Sequence, residues 1–174
     1  MKLNKYLSAY IQPNGKLAWK EPSILIVWMY YILNRNKSLF NKVLFTPPYY
    51  FLSILTGINI PKTTTIGNGL RIHHYGCIII NSYSRIGNNC TIRHEVTIGN
   101  KNSDKDCPII GNNCNIGAGA KILGSIKIGN NVDIGANAVV ITDVPDNCIA
   151  VGVPAKIIRK NEKTNKQDYQ QTER

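Results

Sequence analysis

The 174-residue sequence is poor in acidic residues and in long apolar runs, and each shortage excludes a class of protein. It holds ten Asp and Glu against 21 Lys and Arg, a formal net charge of +11. Its longest apolar run, residues 24–33, has about half the length of a membrane-spanning helix. Residues 1–10 lack the form of a signal peptide. We therefore expect a cytoplasmic protein and leave open a peripheral contact with the inner face of the membrane.

Cysteine spacing excludes two further classes. The five cysteines show no CxxC or CxxH spacing, which argues against a disulfide framework and against a structural zinc site. We expect no metal. The cysteines are Cys77, Cys90, Cys107, Cys114 and Cys148.

The positive charge is concentrated outside the middle of the chain. Residues 1–50 hold seven basic residues against one acidic residue, a net of +6. Residues 51–155 hold eight against six, and residues 156–174 hold six against three. No basic run is interleaved with aromatic residues, so we expect no nucleic-acid partner. A polyanion, an acidic membrane surface and simple solubility all remain explanations of the excess.

Aliphatic residues recur every six positions from residue 60 onward, and glycine often follows them. Six is the period of a hexapeptide β-helix, in which each repeat is one short strand plus one turn and three repeats close a coil. The sequence therefore predicts a mainly β fold, a left-handed parallel β-helix. The longest series is Ile110, Ile116, Ile122, Ile128, Ile134 and Val140.

Two irregularities interrupt the period. The step from Ile72 to Ile80 is eight residues, which places a two-residue insertion within residues 73–79. The step from Ile98 to Ile110 is twelve, with no aliphatic residue at position 104. Residues 100–109 are therefore predicted to leave the coil as a polar loop, and loops on a solenoid commonly carry function.

The chain divides into three parts. Residues 1–57 lack the repeat and are predicted to form a small helical segment, with helices at residues 23–34 and 36–45. We expect Pro47-Pro48 to end the second helix and residues 49–56 to form a further turn. The β-helix domain covers residues 58–160, and residues 161–174 are expected to be a flexible basic tail.

Counting hexapeptide steps with both insertions allowed for puts Ile72, Ile92, Ile116 and Ile134 on one face in successive coils. The residues two positions further on then form a column, with roughly 4.8 Å between neighbours. Histidine can act as a general base near neutral pH, and small residues leave a groove for a long, thin ligand. The column consists of His74, His94, Ala118 and Ala136.

Residues 66–160 resemble the serine acetyltransferase branch of the hexapeptide transferases, and resemble more closely the bacterial exopolysaccharide acetyltransferases of the colanic acid type. The helical N-terminus matches only in general character. The stretches that carry the resemblance are residues 72–76 (IHHYG), 91–100 (TIRHEVTIGN), 107–108 (CP), 116–124 (IGAGAKILG) and 152–156 (GVPAK).

The resemblance implies roles for individual residues. His74 falls on the catalytic base of serine acetyltransferases, and His73 falls where they have an aspartate. Cys107 falls on their loop histidine, which weakens serine as the substrate. The exopolysaccharide relatives share the His-His and Arg-His pairs, so His94 is a candidate partner of His74.

The same resemblance implies acetyl-CoA as the co-substrate and a hydroxyl-bearing small molecule or glycan as the acceptor. Acetyl-CoA would pass Asn100, Ala118 and Ala136, and Lys156 and Arg159 would meet its phosphates. Backbone N–H groups would stabilise the oxyanion. The related enzymes pack as trimers with the site between subunits, so we expect a homotrimer, with a dimer of trimers left open.

Four functions remain open. The first is O-acetylation of a sugar hydroxyl in capsule, exopolysaccharide or O-antigen synthesis, by direct transfer. The second is serine O-acetylation. The third is a γ-type carbonic anhydrase with His73, His74 and His94 on zinc, and the fourth is a catalytically silent assembly subunit. A covalent acyl-enzyme on Cys107 is a further mechanistic alternative, although no activating neighbour is evident.

Overall fold

The computed structural model describes residues 7–10, 21, 23–35 and 38–159. A short 3-10 helix at Ser8–Tyr10 and two α-helices, α1 (Ser23–Arg35) and α2 (Leu39–Thr56), come before a solenoid of short strands. The expected tail at residues 161–174 lies outside the described residues.

Fifteen β-strands follow α2, most of them two or three residues long. They are β1 (Ile58–Asn59), β2 (Thr65–Ile66), β3 (Arg71–Ile72), β4 (Ile78–Ile80), β5 (Arg85–Ile86), β6 (Thr91–Ile92), β7 (Thr97–Gly99), β8 (Ile109–Ile110), β9 (Asn115–Ile116), β10 (Lys121–Leu123), β11 (Lys127–Ile128), β12 (Asp133–Ile134), β13 (Val139–Val140), β14 (Cys148–Val151) and β15 (Lys156–Arg159).

From β1 to β13 every third strand pairs in parallel, and β14 then pairs in parallel with β12, so the strands form three sheets around a common core. Sheet 1 contains β1, β4, β7, β10 and β13; sheet 2 contains β2, β5, β8 and β11; sheet 3 contains β3, β6, β9, β12 and β14. The last strand, β15, folds back antiparallel on β14 and ends sheet 3. The fold is the left-handed parallel β-helix that the six-residue period predicts, in about five coils.

The period has a simple physical basis. In each short strand one residue points inward and its neighbour outward, so one isoleucine per repeat is enough to fill the core. Ile92, Ile116 and Ile122 are fully buried, and so are the small residues four positions after the aliphatic residue, such as Cys90 and Ala120. Cys90 and Cys114 are therefore core residues.

Three corners connect the sheets. The asparagine corner joins sheet 2 to sheet 3, the histidine corner joins sheet 3 to sheet 1, and the loop corner joins sheet 1 to sheet 2. The asparagine corner comprises residues 67–70, 87–90, 111–114, 129–132 and 145–147; the histidine corner comprises 73–77, 93–96, 117–120 and 135–138; the loop corner comprises 60–64, 81–84, 100–108, 124–126 and 141–143.

Both irregularities lie where the spacing predicts them. Ile78 and Ile80 are both buried while Ile79 between them is exposed, so the insertion is absorbed within residues 73–77 of the histidine corner. The twelve-residue step produces a loop between β7 and β8, whose residues 100–105 are exposed. The loop is braced internally, since the amide N–H of Asn102 donates to Asp106 Oδ2 at 3.1 Å.

The helices cap the open end of the solenoid. Strand edges at the end of a sheet leave carbonyl groups unpaired, and here the hydroxyl groups of buried side chains donate to them. Tyr30 Oη donates to the Thr64 carbonyl at 2.6 Å, and Tyr31 Oη donates to the Gly67 carbonyl at 2.5 Å. Ser23 Oγ donates to the Ile72 carbonyl at 2.5 Å.

The prediction that Pro47-Pro48 ends the second helix is wrong. Helix α2 continues through both prolines to Thr56 and ends at Gly57, whose φ of 67° lies in the left-handed region. The two prolines remove N–H donors, but the turns that follow are held by tertiary contacts. Tyr49 is buried, and its hydroxyl donates to the carbonyl of Ile60 at 2.5 Å.

Candidate active site

The histidine corner contains the predicted column. Ile72 pairs with Ile92, Ile92 with Ile116, and Ile116 with Ile134, so the register inferred from the sequence is confirmed. Backbone hydrogen bonds continue the stack beyond the strands: the Gly119 N–H donates to the His94 carbonyl, and the Asn137 N–H donates to the Ala118 carbonyl. His94, Ala118 and Ala136 therefore occupy successive coils along one edge. In the first coil the Glu95 N–H donates to the Gly76 carbonyl, and His74, two positions after Ile72 in the strand register, joins the column through its ring contact with His94.

The two histidines of the column are in contact. Their ring centroids lie 6.0 Å apart and the rings meet edge to face at 72°. His74 is exposed and His94 is half-buried. His94 Nδ1 is buried with no hydrogen-bond partner among the described residues. The His74 ring is thus available to a ligand, while the His94 ring supports it from the coil below.

His74 has an unusual backbone conformation. In the lower coils the left-handed residue is the one after the column position, namely Glu95, Gly119 and Asn137 with φ of 60°, 72° and 56°. In the first coil the residue that matches them is Cys77, with φ of 49°, and the insertion adds a further left-handed residue at His74, with φ of 65°. Left-handed backbone is uncommon outside glycine and is concentrated at functional sites. The two-residue insertion thus changes the backbone on which His74 is presented.

His73 lies beside this pair. Its ring centroid is 6.2 Å from that of His74, and its side chain is half-buried. Burial, together with the nearby Arg71 guanidinium, lowers the pKa of His73 from its ordinary value, which favours the neutral ring. Arg71 itself is paired with Glu21 at 2.6 Å. His73 therefore belongs to the wall between the corner and the helical cap.

Small residues line the column below the histidines. Ala118 is half-buried and Ala136 is exposed. A Cβ at Gly117 would lie 2.5 Å from the Ala136 backbone nitrogen, so the spacing of the coils leaves no room for a side chain at this position. The column positions below His94 therefore carry no side chain larger than a methyl group.

The turn at residues 152–155 closes the lower end of the column. It packs on β13, since the Val139 N–H donates to the Gly152 carbonyl and the Ala155 N–H donates to the Val139 carbonyl. Lys156 follows at once, opposite Val151, and is exposed. A cation therefore stands at the lower end of the alanine path.

Two predicted residues lie away from the histidines. Asn100 is in the loop corner, separated from His94 by strand β7, and accepts a hydrogen bond from Asn81 Nδ2 at 3.1 Å. Arg159 pairs with Cys148 at the far end of β15 from Lys156. Within one chain the structure brings together His73, His74 and His94 at the top of the alanine path.

Cys107 is buried at the end of the loop, with 6% of its surface exposed. Its Sγ donates to the Asp104 carbonyl at 3.3 Å. Burial raises the pKa of the Cys107 thiol, so the reactive thiolate is disfavoured at neutral pH. These features are typical of a structural cysteine.

The sequence interpretation missed Lys121. This residue opens β10 beside the column, and its ammonium Nζ donates to the Glu95 carbonyl at 2.5 Å, next to His94. The sequence could have indicated Lys121 as a site residue, because it directly follows residues 118–120 at an outward-facing strand position. A cation here places positive charge on the sheet 1 side of the column.

No group of three or more His, Cys, Asp or Glu side chains in the described part of the chain is arranged to hold a metal ion. No helix in this part is long and apolar enough to cross a membrane.

The known proteins that are similar to this chain are transferases of one kind. A family model for bacterial transferase hexapeptide (six repeats) matches residues 107–142. The chain is 39% identical over 146 residues to the putative colanic acid biosynthesis acetyltransferase WcaB of Escherichia coli (strain K12), covering 81% of this chain and 86% of the relative. It is 40% identical over 110 residues to a serine acetyltransferase of Synechococcus elongatus, covering 62% of this chain and 45% of that protein.

A solved serine acetyltransferase in complex with CoA superposes with a TM-score of 0.72 at 31% identity, covering 88% of this chain and 66% of that one. The chain thus spans roughly half to two thirds of the serine acetyltransferases, whereas its match to the colanic acid acetyltransferase extends over most of both proteins. The six-residue repeat, the register of the histidine corner and these relatives agree: the chain belongs to the hexapeptide-repeat transferase family and is an acyltransferase.

Proposed function

We propose that the protein is an acetyl-CoA-dependent O-acetyltransferase that acts on a sugar hydroxyl in the synthesis of a capsule, exopolysaccharide or O-antigen. The observation that carries the proposal is the edge-to-face contact of His74 with His94, with ring centroids 6.0 Å apart, at the top of a path lined by alanines. Residues 58–160 would form the catalytic domain, working in the cytoplasm.

The chemistry follows from the exposed histidine. His74 takes the proton of the acceptor hydroxyl while the hydroxyl oxygen attacks the thioester carbonyl. The tetrahedral intermediate collapses, the C–S bond breaks, and the CoA thiolate leaves and receives the proton from His74. The products are the acetyl ester and free CoA. His94 supports His74 by ring contact, and the neutral His73 forms the adjacent wall.

The alanine path is the proposed binding site for acetyl-CoA. A long, thin molecule would extend past Ala118 and Ala136, where larger side chains would block it, and Lys156 would meet its phosphates as an exposed cation at the path's end. The similarity to a serine acetyltransferase complexed with CoA supports this assignment.

Asn100 and Arg159 would serve the same ligand only through a second copy of the chain. Asn100 lies across sheet 1 from the histidines, so a neighbouring subunit would have to present its loop corner to this histidine corner. We propose a homotrimer with three such sites, which would also give the loop at residues 100–108 a role in the site.

The proposal that the acceptor is a sugar rests on two features. The match to the putative colanic acid biosynthesis acetyltransferase covers most of both proteins, which supports a sugar. Cys107 stands at the position of the loop histidine of serine acetyltransferases, and its buried thiol offers no second base. Serine O-acetylation is the second candidate, favoured by the structural similarity to serine acetyltransferases.

The arrangement of the described side chains does not favour zinc hydration chemistry at the three histidines.

His74→Ala is the decisive variant. Loss of a general base should lower turnover by about 10²-fold or more, while acetyl-CoA binding measured by calorimetry stays within about threefold of the wild-type protein. Turnover is followed as free thiol released from acetyl-CoA. Unchanged turnover would refute the role of His74.

The same assay separates the acceptors. Nucleotide sugars, free sugars and L-serine are compared as acceptors for the wild-type protein, and acetylated products are identified by mass spectrometry. Preferential acetylation of a sugar supports the first function, and preferential acetylation of serine establishes the second.

A further inference from the structure

Helix α2 exposes an unusual surface. With a 100° rotation per residue, its exposed apolar positions fall within one sector of about 160°. No charged residue lies in that sector, which runs about 24 Å along the helix from Leu39 to Leu55. The apolar face of α2 consists of Leu39, Phe40, Val43, Leu44, Pro47, Tyr50, Phe51, Ile54 and Leu55.

The degree of exposure is large. Ile54 is 84% exposed, and Leu39 and Phe40 are 75% and 73% exposed. The opposite side of the helix packs on the cap, where Tyr49 is buried and Phe45 meets Trp28 edge to face. The helix is therefore docked on the protein by one side and presents its apolar side outward. A contiguous apolar surface of this kind marks an interaction site.

The surroundings of this face are basic. The sequence has no Asp or Glu between Glu21 and Glu95, and that interval contains seven Lys and Arg. Glu21 is already paired with Arg71. Next to the helix, a depression of about 400 Å³ is lined by Lys42, Lys62, Asn34, Thr63 and Leu33. Its two ammonium groups and the hydroxyl group of Thr63 are suited to an anionic head group, while the Asn34 amide donates to the carbonyl groups of Lys62 and Thr64 and braces the depression.

Charge decides between two kinds of partner. A second copy in a two-fold contact would place the same face against itself. That contact would bring together two copies of a segment, residues 22–94, that holds seven Lys and Arg and no carboxylate to balance them. An anionic lipid surface offers both complements at once, an apolar layer for the helix face and negative head groups for the lysines.

We infer that the apolar face of α2 lies in the interfacial region of an anionic membrane, with Lys42 and Lys62 facing the lipid phosphates. Helices of this type lie in the plane of the interface with the apolar side in the acyl boundary, and basic residues strengthen their binding. The inference does not depend on the acceptor of the acetyl group, because it rests on α2 and its neighbours alone.

Co-sedimentation of the full chain with vesicles tests the inference. Vesicles of phosphatidylcholine mixed with phosphatidylglycerol are compared with vesicles of phosphatidylcholine alone. The protein should bind the anionic vesicles, and binding should weaken when salt is raised from about 0.1 M to about 1 M, which shortens the screening length from about 10 Å to about 3 Å.

Two double variants separate the contribution of the apolar face to vesicle binding from the contribution of the lysines. Phe51→Ser with Ile54→Ser should weaken vesicle binding at least tenfold (~1.4 kcal/mol). Lys42→Gln with Lys62→Gln should weaken it by about fivefold for each lysine. The matched controls are Ile79→Ser with Ile109→Ser, two exposed isoleucines of the solenoid, and Arg85→Gln with Lys127→Gln, two exposed cations of sheet 2. Both controls should bind vesicles as the wild-type protein does.

Light scattering of the same proteins without lipid distinguishes the second copy. An unchanged molecular mass for the Phe51/Ile54 variant, together with lost vesicle binding, supports the inference. A reduced mass with no vesicle binding by the wild-type protein overturns it and assigns the face to self-association. Equal binding to neutral and anionic vesicles, unaffected by the lysine variant, overturns the role of the lysines.

Discussion

The asparagine corner and the histidine corner both connect one sheet of the solenoid to the next, yet they are built differently. At the asparagine corner, the N–H of Asn88 donates to Asn112 Oδ1 and the N–H of Asn112 donates to Asn130 Oδ1, both at 2.8 Å. Each side-chain amide also bonds to the next one. At the histidine corner, the column positions are His74, His94, Ala118 and Ala136, with no such ladder among them.

The difference separates a corner that stabilises the fold from one that leaves groups free for a ligand. The first asparagine of each turn accepts the backbone N–H of the coil above, and the asparagine that follows it takes the left-handed backbone, so the ladder locks the stack. Alanine neither favours left-handed backbone nor accepts a hydrogen bond from the coil above, and its small side chain leaves space beside the backbone. Substitutions at the asparagine corner should therefore change stability, and substitutions at the histidine corner should change turnover.

After His74→Ala, the largest effect is expected for Gly111→Ala at the asparagine corner. A Cβ there would lie 2.6 Å from the Gly129 carbonyl oxygen, and backbone cannot move aside cheaply. We expect a loss of about 3 kcal/mol in the free energy of unfolding, measured by urea denaturation. Gly99→Ala, whose Cβ would have its nearest neighbour at 3.9 Å, is the control and should change stability by less than about 0.5 kcal/mol. Equal effects of the two would contradict the close-packed corner.

His94→Ala should lower turnover about tenfold with little change in stability, because His74 loses the ring that supports it at 6.0 Å. His94→Phe keeps a ring at this position and should recover most of the turnover. Turnover is measured by thiol release and stability by thermal unfolding. If the phenylalanine variant is as slow as the alanine variant, His94 acts through its ring nitrogens and the ring-contact explanation fails.

Asn112→Ala should cost about 1 kcal/mol of stability, since the Asn88 N–H and the Asn130 side chain each lose a partner that only exposed solvent replaces. Turnover of the folded protein should not change. Asn59→Ala, an exposed asparagine of β1 outside the ladder, is the control for urea unfolding. A loss of turnover without a loss of stability would show that the two corners are not divided in this way.

Cys107→Ala should have the smallest effect, with turnover within about threefold of the wild-type protein. The thiol is buried and its pKa is raised, so it is held as a neutral thiol that donates to the Asp104 carbonyl. Mass spectrometry of the protein mixed with acetyl-CoA should detect no acetylated cysteine. A covalent acetyl group on Cys107 would revive the acyl-enzyme mechanism.

Several features of the fold were readable from the sequence because the repeat is local. The steps of eight and twelve residues located the insertion at residues 73–79 and the loop at residues 100–109, which the structure narrows to 73–77 and 100–108. They also set the register that pairs Ile92 with Ile116. The prolines show the opposite case. Pro47-Pro48 are strong local signals for a helix end, but burial of Tyr49 against the first coil carries α2 past them.

The candidate site was only partly readable. Membership of the column follows from counting, whereas the left-handed backbone of His74, the ring contact with His94 and the position of Lys121 do not. The distance of Asn100 from the histidines was also not visible, because a motif that is continuous in sequence (TIRHEVTIGN) passes from one corner to the next across a strand.

The sequence by itself determined the coil, the order of the residues along each corner and the hydrophobic core, since each hexapeptide contacts mainly the repeats above and below it. The tertiary structure decided how the ends and irregular parts of the coil are used. Tyrosine hydroxyls from α1 and α2 cover the carbonyl groups of the first coil, the insertion sets the conformation of His74, and one side of α2 is left apolar and exposed. These outcomes depend on contacts between segments distant in sequence, which no six-residue period encodes.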